Sequence, residues 1–350
     1  MIGSVPPPDL RQKTLTMHLV RSSLAAALSL LLMSSCGGAQ TEERTRLAFV
    51  TNGIDPFWTI AAAGVHAAAR DFSVDCKVKM PANGIVDQKR IVEDLLVLGI
   101  DGIAISPIDG VNQADLINEA CARTRVITHD SDAPGTDRLC FVGMDNYAAG
   151  RECGKLVKEA LPDGGSVMLF VGRLEQDNAR QRRQGLIDEL LDRPWGPDNN
   201  DSPGEQLVGD TYTILDTRTD QFDRSRAKSN AEDALALYPD LGCMVGLFAY
   251  NSPQCLEALK AADKVGQVRL VAFDEDEQTL QGILDGGVYG TVTQQPYLYG
   301  YESIRILAAL ARGENPVPEG GFVDVPVRLV RKENCQEFWD ELKGLIAGGK

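Results

Sequence analysis

The sequence predicts an α/β protein with two lobes, each built on a doubly wound parallel sheet. Short apolar runs rich in β-branched residues recur from Leu47 onward, and most are separated by segments with helical periodicity. Near-continuous apolar strands that alternate with amphipathic helices are typical of parallel sheets covered on both faces. About ten such strands are too many for a single doubly wound sheet in a chain of 350 residues, so we expect two sheets.

The predicted strands follow one another in a regular order. They are LAFVT, CKVKM, GIAIS, RVITH, CFVGM, SVMLFVG, YTILD, CMVGLFA, RLVAF and GTVTQ. Helical periodicity lies between most of them: QKRIVEDLLVLG places four apolar side chains, from Ile91 to Leu96, opposite its charges. The alternation of strands and helices restarts after the segment from Val142 to Gly150, so we predict that the chain passes to the second lobe there. Arg193 to Gln206 is rich in Pro, Gly and Asn and predicts an elaborated loop.

The first residues have the pattern of a bacterial signal peptide. The apolar run from Leu24 to Met33 follows a positively charged region and ends in MSSCGG. Small residues before a cysteine resemble a lipobox, in which the Cys36 thiol carries lipid. We therefore expect a signal peptide over residues 1–35, a lipidated Cys36 with a tether over residues 36–46, and a membrane-anchored lipoprotein of the cell envelope or periplasm. An ordinary secretory signal with cleavage nearby is the alternative.

Charge and cysteine usage exclude several classes of protein. A net charge of −15 without basic clusters argues against nucleic-acid binding, which needs a basic face. Beyond Cys36 there are seven cysteines and no CxxC spacing, which fits neither a zinc site nor a disulfide scaffold. We expect most of them to be small buried apolar residues, with one or two disulfides left open.

The sequence lacks a credible catalytic apparatus. Of its three histidines, His18 lies in the signal, His66 lies among alanines, and His129 precedes Asp130 on a strand and should point to the opposite face. We expect His66 and His129 to be packed or surface residues. No GxSxG elbow, P-loop or GxGxxG fingerprint stands at a strand–helix junction. We therefore predict that the protein is not an enzyme.

Polar and aromatic residues recur where the predicted strands end, which is where open α/β sheets bind ligands. Carboxylates only accept hydrogen bonds, arginine only donates, and amides do both, so together they suit a polyhydroxylated ligand whose apolar ring faces pack on aromatic rings. The candidates are Asp55, Phe57, Trp58, Asp130, Arg180, Phe222, Asn251, Asp274 and Gln294.

Each candidate also has a structural interpretation. Asp55 before Pro56 is a typical helix N-cap, and Asn251 and Asp274 can begin helices in the same way. Arg180 can belong to a solvated charged run. The recurrence of ligand-type residues at strand ends favours a binding site over these separate explanations.

A series of motifs occurs in order along the chain: NGIDPFW, DGIAISPID, VITHDSD, GMDNYAAGR, NARQRRQG, TDQFDR, FAYNSPQCLEAL, VAFDEDEQTLQGI and TVTQQPYLYGYES. With this series, the chain from Leu47 to about Leu329 resembles the type I periplasmic substrate-binding proteins of the ribose-binding-like class. These proteins serve sugar ABC importers and are related to the ligand-binding domains of LacI-type regulators. The signal sequence stands where a LacI-type repressor would need a helix-turn-helix.

The resemblance implies two α/β lobes joined by a three-crossing hinge, with the ligand in the cleft. Sugar-binding proteins of this kind need no metal or cofactor, so we expect none here. We expect an N-terminal lobe over residues 47–144 plus 295–323, and a C-terminal lobe over 145–294 plus 324–340. By motif, the family's site positions fall on Asp55, Phe57, Trp58, Asp130, Arg180, Phe222, Asn251, Asp274 and Gln294, the last at the hinge, and more weakly on Ser106.

Two departures bear on the ligand. Ribose binders usually have Asn where this chain has Asp55, and Arg where it has Ser131, so an aldohexose, another pentose or a polyol fits as well as ribose. The resemblance implies an extracytoplasmic receptor that captures a neutral monosaccharide or polyol and delivers it to an ABC permease. We expect it to act as a monomer. The alternative is a ligand-sensing module for a membrane receptor or histidine kinase.

Overall fold

The computed structural model describes residues 1–4 and 44–349. The chain divides into two units, residues 1–43 and 44–350, and the described residues of the first, 1–4, form no helix or strand. Most of the predicted signal peptide, the predicted lipidation site Cys36 and most of the tether lie outside the described residues. Among the described residues, no helix combines the length and the apolar character needed to cross a membrane.

The N-terminal lobe is a parallel sheet with helices on both faces. Within the described residues it has six strands in the order β12-β5-β4-β3-β1-β2. Its strands are β1 Arg46–Val50, β2 Asp75–Lys79, β3 Gly102–Ile105, β4 Arg125–His129, β5 Phe141–Gly143 and β12 Phe322–Asp324. Its helices are α1 Pro56–Asp71, α2 Gly84–Val97, α3 Ala114–Cys121 and α9 Pro296–Ala311.

Strand β1 shows how the sequence covers both faces of this sheet. Leu47 and Phe49 are buried in one apolar cluster with side chains of α1 and α9. Ala48 and Val50 point the other way, into a second cluster with side chains of α2 and α3. Successive side chains on a strand point to opposite faces, so a strand that is apolar throughout needs a helix layer on each side.

The C-terminal lobe is built in the same way around seven described strands, in the order β13-β11-β10-β9-β6-β8-β7. Its strands are β6 Gly165–Val171, β7 Leu207–Val208, β8 Tyr212–Thr219, β9 Cys243–Gly246, β10 Arg269–Phe273, β11 Gly290–Thr293 and β13 Arg328–Arg331. Its helices are α4 Asn146–Ala160, α5 Asp177–Leu190, α6 Arg224–Leu237, α7 Asn251–Ala261, α8 Glu277–Asp285 and α10 Lys332–Gly348.

The predicted two-lobed α/β fold is confirmed, with additions that the sequence did not predict. Strands β7, β12 and β13, of two to four residues each, were not predicted. Two of them pair antiparallel, β7 with β8 and β13 with β11, at the edges of an otherwise parallel sheet. Helix α10, beyond the last predicted strand, was not predicted either.

The chain crosses between the lobes three times. It leaves the first lobe between β5 and α4, returns between β11 and α9, and crosses again between β12 and β13. The second crossing contains Gln294 and Gln295, and Gln295 adopts a left-handed backbone conformation with φ 59°. The three crossings place the carboxyl ends of both sheets on either side of one cleft.

The seven cysteines in the described part of the chain form no disulfide with one another. Five of them are buried and two are partly exposed. They pack as small apolar residues, as the sequence indicated.

Candidate functional site

A cavity of about 350 Å³ lies between the two lobes, at the carboxyl ends of their strands. The first lobe contributes the segments that follow β1, β2 and β4, and the second contributes those that follow β6, β8, β9 and β10. The volume is in the range of small-molecule sites, and the location is the one where open α/β sheets bind ligands.

The structure brings seven of the ten candidate residues to this cavity and leaves three outside its lining. The lining residues are Asp55, Phe57, Trp58, Asp130, Phe222, Asp274 and Gln294. The residues outside it are Arg180, Asn251 and Ser106.

Asp55 caps helix α1 and also reaches across the cleft. Its Oδ1 accepts a hydrogen bond from the backbone N–H of Phe57 at 3.0 Å, and Pro56 occupies the first helical turn. Its Oδ2 forms an ion pair with Nη2 of Arg224, the first residue of α6 in the other lobe, at 2.7 Å. Burial raises the pKa of Asp55, and the Arg224 charge opposes that shift.

The two adjacent aromatics at the start of α1 are largely packed. Trp58 is 3% exposed and meets the Phe57 ring edge-on, with centroids 4.9 Å apart. Its indole Nε1 donates to Oδ1 of Asn52 at 3.2 Å. Phe222, by contrast, is 37% exposed and stacks on Phe248 at 5.6 Å, so it presents the most accessible aromatic face of the cavity.

Asp130 is the buried carboxylate that the first lobe contributes to the cavity. It has a left-handed backbone with φ 59°, which turns its side chain into the cavity directly after β4. Its Oδ2 accepts from Ser106 Oγ at 2.9 Å and from Asn52 Nδ2 at 3.3 Å, and its Oδ1 accepts from Asn178 Nδ2 of the other lobe at 3.3 Å. Burial raises the pKa of Asp130 to about 6, against the lowering effect of the Arg182 charge.

The neighbouring His129 faces away from the cavity, as the alternation along a strand predicts. Its ring is fully buried and stacks on Phe49 at 3.9 Å, and Nε2 lies 3.2 Å from the carbonyl of Val50. Burial lowers its pKa to about 3, so His129 is a neutral packed residue.

Asp274 is the corresponding carboxylate of the second lobe. It also has a left-handed backbone, with φ 71°, and its Oδ1 accepts from Nε2 of Gln294 at 2.5 Å. Burial raises the pKa of Asp274 to about 7; the Arg182 charge lowers it, and the nearby Asp130 carboxylate raises it further. The charge of one arginine therefore acts on both buried carboxylates.

That arginine is Arg182, and the candidate Arg180 is corrected to it. Arg180 lies outside the cavity lining, where its guanidinium forms an ion pair with Asp177 at 2.9 Å. Two residues along a helix correspond to a rotation of about 200°, so Arg182 points to the opposite side of α5. Arg182 is fully buried, and its Nη1 donates to the carbonyl of Leu247 at 2.7 Å while its Nε has no hydrogen-bond partner among the described residues.

Asn251 and Ser106 lie outside the cavity lining and form hydrogen bonds to residues that line it or lie next to it. Asn251 Nδ2 donates to Asp220 at 2.8 Å, and its Oδ1 accepts from the backbone N–H of Phe248 at 3.1 Å, which fixes the segment after β9 that lines the cavity. Ser106 is fully buried and donates to Asp130. Their amide and hydroxyl groups are used within the protein, so they position lining residues.

Residues 47–315 match the family model described as a periplasmic binding protein domain. The chain belongs to this family. A D-ribose/D-allose-binding protein of Pseudomonas aeruginosa is 25% identical over 328 residues, which cover 89% of this chain and 97% of that protein. A xylitol-binding protein of Mycolicibacterium smegmatis is 22% identical over 89% of this chain and 88% of its own length.

Solved structures of solute-binding proteins have the same fold as this periplasmic binding protein. An ABC-transporter solute-binding protein from Burkholderia graminis, solved with D-arabinose, is 26% identical, with a TM-score of 0.74 over 83% of this chain and 96% of its own. A carbohydrate-transporter solute-binding protein from Agrobacterium radiobacter has a TM-score of 0.77 at 20% identity, over 87% of this chain and 100% of its own. The family consists of extracytoplasmic substrate-binding proteins.

Several polar residues that line the cavity were not among the candidates from the sequence. They include Asn52, Arg173, Gln176, Asn178, Arg182, Arg224 and Tyr250. Asn52 and Arg173 each lie within two residues of a strand end, so the strand-end rule could have found them. The others depend on how the helices begin and which side faces the cleft. Among residues 1–4 and 44–349, no cluster of His, Cys, Asp and Glu could hold a metal ion.

Proposed function

We propose that this periplasmic binding protein captures a sugar or polyol of monosaccharide size between its lobes and delivers it to an ABC importer. The observation that carries the proposal is that two buried carboxylates, Asp130 and Asp274, and the buried Arg182, whose charge acts on both, line one cavity. Relatives along most of the chain include proteins named for binding ribose, allose and xylitol.

The cavity groups match the chemistry of vicinal hydroxyls. Carboxylate oxygens of Asp130 and Asp274 accept from hydroxyl protons, and the unpartnered Nε of Arg182 donates to a hydroxyl oxygen. Hydrogen bonds to charged groups are the stronger ones. The partly exposed ring of Phe222 suits contact with the apolar C–H side of a sugar ring. We correspondingly place the principal ring contact on Phe222 rather than on Trp58.

Closure of the lobes would secure the ligand. Two contacts join the lobes across the cleft in this structure, Asp55 with Arg224 and Asp130 with Asn178. Such contacts exist only when the lobes approach, and a ligand held from both sides shifts the equilibrium towards the closed form.

We further propose that the protein is a monomeric lipoprotein, anchored through Cys36, that binds its ligand without chemical conversion or a cofactor. The basis is the lipobox-like MSSCGG sequence and a cavity whose polar groups lack a nucleophile–base pair. A binding role also fits the substrate-binding proteins of the family.

A thermal-shift screen of the purified protein tests the proposed ligand class. The panel comprises pentoses, hexoses, polyols, sugar acids and amino acids. A ligand at about 100 times its Kd should raise the free energy of unfolding by about 2.7 kcal/mol. We expect a sugar or polyol, or an acid derived from one, to raise the melting temperature. A panel in which only amino acids do so would reject the proposal.

A further inference from the structure

The segment between β6 and α5 brings polar groups into the cavity that the protein itself leaves unused. Gln176 lines the cavity and is 1% exposed, yet neither Nε2 nor Oε1 of its amide has a hydrogen-bond partner among the described residues. Leaving a buried polar group without a partner costs about 1–3 kcal/mol. The amide therefore marks a position where a bound molecule completes the hydrogen bonding.

Arg173 lies in the same segment and lines the same cavity. Its guanidinium carbon lies 4.9 Å from the centre of the Phe222 ring, which holds the planar group against an aromatic face. Its Nε is buried without a partner, and within residues 44–349 the side chain forms neither an ion pair nor a hydrogen bond. Arg173 is thus a cation packed against the Phe222 ring, and its guanidinium N–H donors are unused within residues 44–349.

The other charges of the cavity are balanced among themselves. Arg224 forms its ion pair with Asp55. Arg182 faces both Asp130 and Asp274, and burial raises the pKa of Asp274 to about 7, so that this carboxyl is partly protonated at neutral pH. Arg173 is the remaining arginine of the cavity, and it forms no ion pair within residues 44–349.

We propose that Arg173 and Gln176 form a subsite for an anionic substituent, and that the ligand is an acidic sugar derivative, a uronate or a sugar phosphate. This inference rests on the proposed sugar-binding function and narrows its ligand class. The guanidinium fork matches the geometry of a carboxylate or phosphate, and the Gln176 amide adds N–H donors. A neutral ligand, as predicted from the sequence, would bury the Arg173 charge without a counter-charge, which is unfavourable.

The test is isothermal titration calorimetry on the full chain purified in detergent. Glucose, galactose and mannose are each compared with their uronate and their 6-phosphate. We expect one anionic derivative to bind at least about tenfold more tightly than its parent hexose, which corresponds to about 1.4 kcal/mol. The uronate and phosphate arms separate the two sources of negative charge.

Substitutions then assign the preference to the subsite. Arg173→Gln should lower the ratio of anionic to neutral affinity about tenfold or more. Arg180→Gln removes an arginine that lies outside the cavity and should keep the ratio. Gln176→Glu places a negative charge in the proposed subsite and should also lower the ratio of anionic to neutral affinity. This variant provides the test if Arg173→Gln does not fold.

The outcomes separate the two proposals. Neutral hexoses that bind as tightly as their acids, or a ratio unchanged in Arg173→Gln and Gln176→Glu, would overturn the anionic subsite and leave sugar binding intact. If none of these sugars binds and no sugar, polyol or sugar acid raises the melting temperature in the thermal-shift screen, the sugar-binding proposal fails together with the subsite.

Discussion

Replacing Arg182 by methionine should abolish tight ligand binding while leaving the fold in place. Met has a similar length and can keep packing over the Phe273 ring, which lies 4.0 Å from the guanidinium carbon. The substitution removes the charge that faces Asp130 and Asp274. Removing one member of a buried, hydrogen-bonded charge group costs about 2–5 kcal/mol of binding free energy, or roughly 30-fold to several thousandfold in Kd.

The same substitution has a separate cost in stability. It removes the hydrogen bonds from Arg182 to the carbonyl of Leu247, at 2.7 Å, and to Oδ1 of Asn146, at 3.0 Å. At about 1 kcal/mol each, their loss lowers the free energy of unfolding by about 2 kcal/mol, which urea denaturation measures.

Calorimetric titration with the ligand found by the thermal-shift screen provides the affinity. Arg180→Met is the matched control, because the guanidinium of Arg180 pairs with Asp177 outside the cavity. The ligand Kd of this variant should stay within about twofold of the wild-type value. A folded Arg182→Met protein with a Kd within about threefold of the wild type would refute the assignment. So would a comparable loss in Arg180→Met.

Three further predictions concern the cavity. Arg224→Gln removes the ion pair to Asp55, worth about 0.2–1 kcal/mol, and should raise the ligand dissociation rate up to about fivefold in stopped-flow experiments at low salt; equal rates at low salt would contradict it. Burial raises the pKa of Asp130 to about 6 and of Asp274 to about 7 from the usual 3.8, so the native state holds protons that the unfolded chain has released. Their contribution to stability therefore falls as pH rises from about 4 to about 7, and thermal melts of the doubly substituted Asp130→Asn, Asp274→Asn protein should show a smaller fall over this range than the wild type. Phe222→Ala should weaken ligand binding about tenfold by calorimetry, and an unchanged Kd would remove this ring from the proposed ring contact.

Much of the fold was predictable because it depends on local patterns. Strands such as β1, apolar throughout and followed by an amphipathic helix, have only one stable surrounding, which is a parallel sheet between helix layers. The N-cap role of Asp55 was equally local, since Asp before Pro at a helix start favours it. Strands β7, β12 and β13 are set by tertiary pairing, and so their short sequences gave no signal.

The cavity residues were predictable where the strand-end rule suffices and unpredictable where rotation about a helix decides. Asp130 and Asp274 directly follow strands, and both reach the cavity. Arg180 and Arg182 lie in one charged run, and which of them faces inward depends on where α5 begins and how it packs, which their local sequence does not indicate. Gln176 carries no sequence pattern of a ligand contact; its role emerges from burial without a partner.

A crystal structure of the protein with the ligand found in the screen would show whether the cavity between the lobes is the binding site. We predict closed lobes with the ligand in the cavity, its hydroxyls about 3 Å from carboxylate oxygens of Asp130 and Asp274 and from Nε of Arg182. Its ring should lie against Phe222, with an acidic group beside Arg173. Ligand density elsewhere on the protein, or an empty cavity at saturating ligand, would contradict the account.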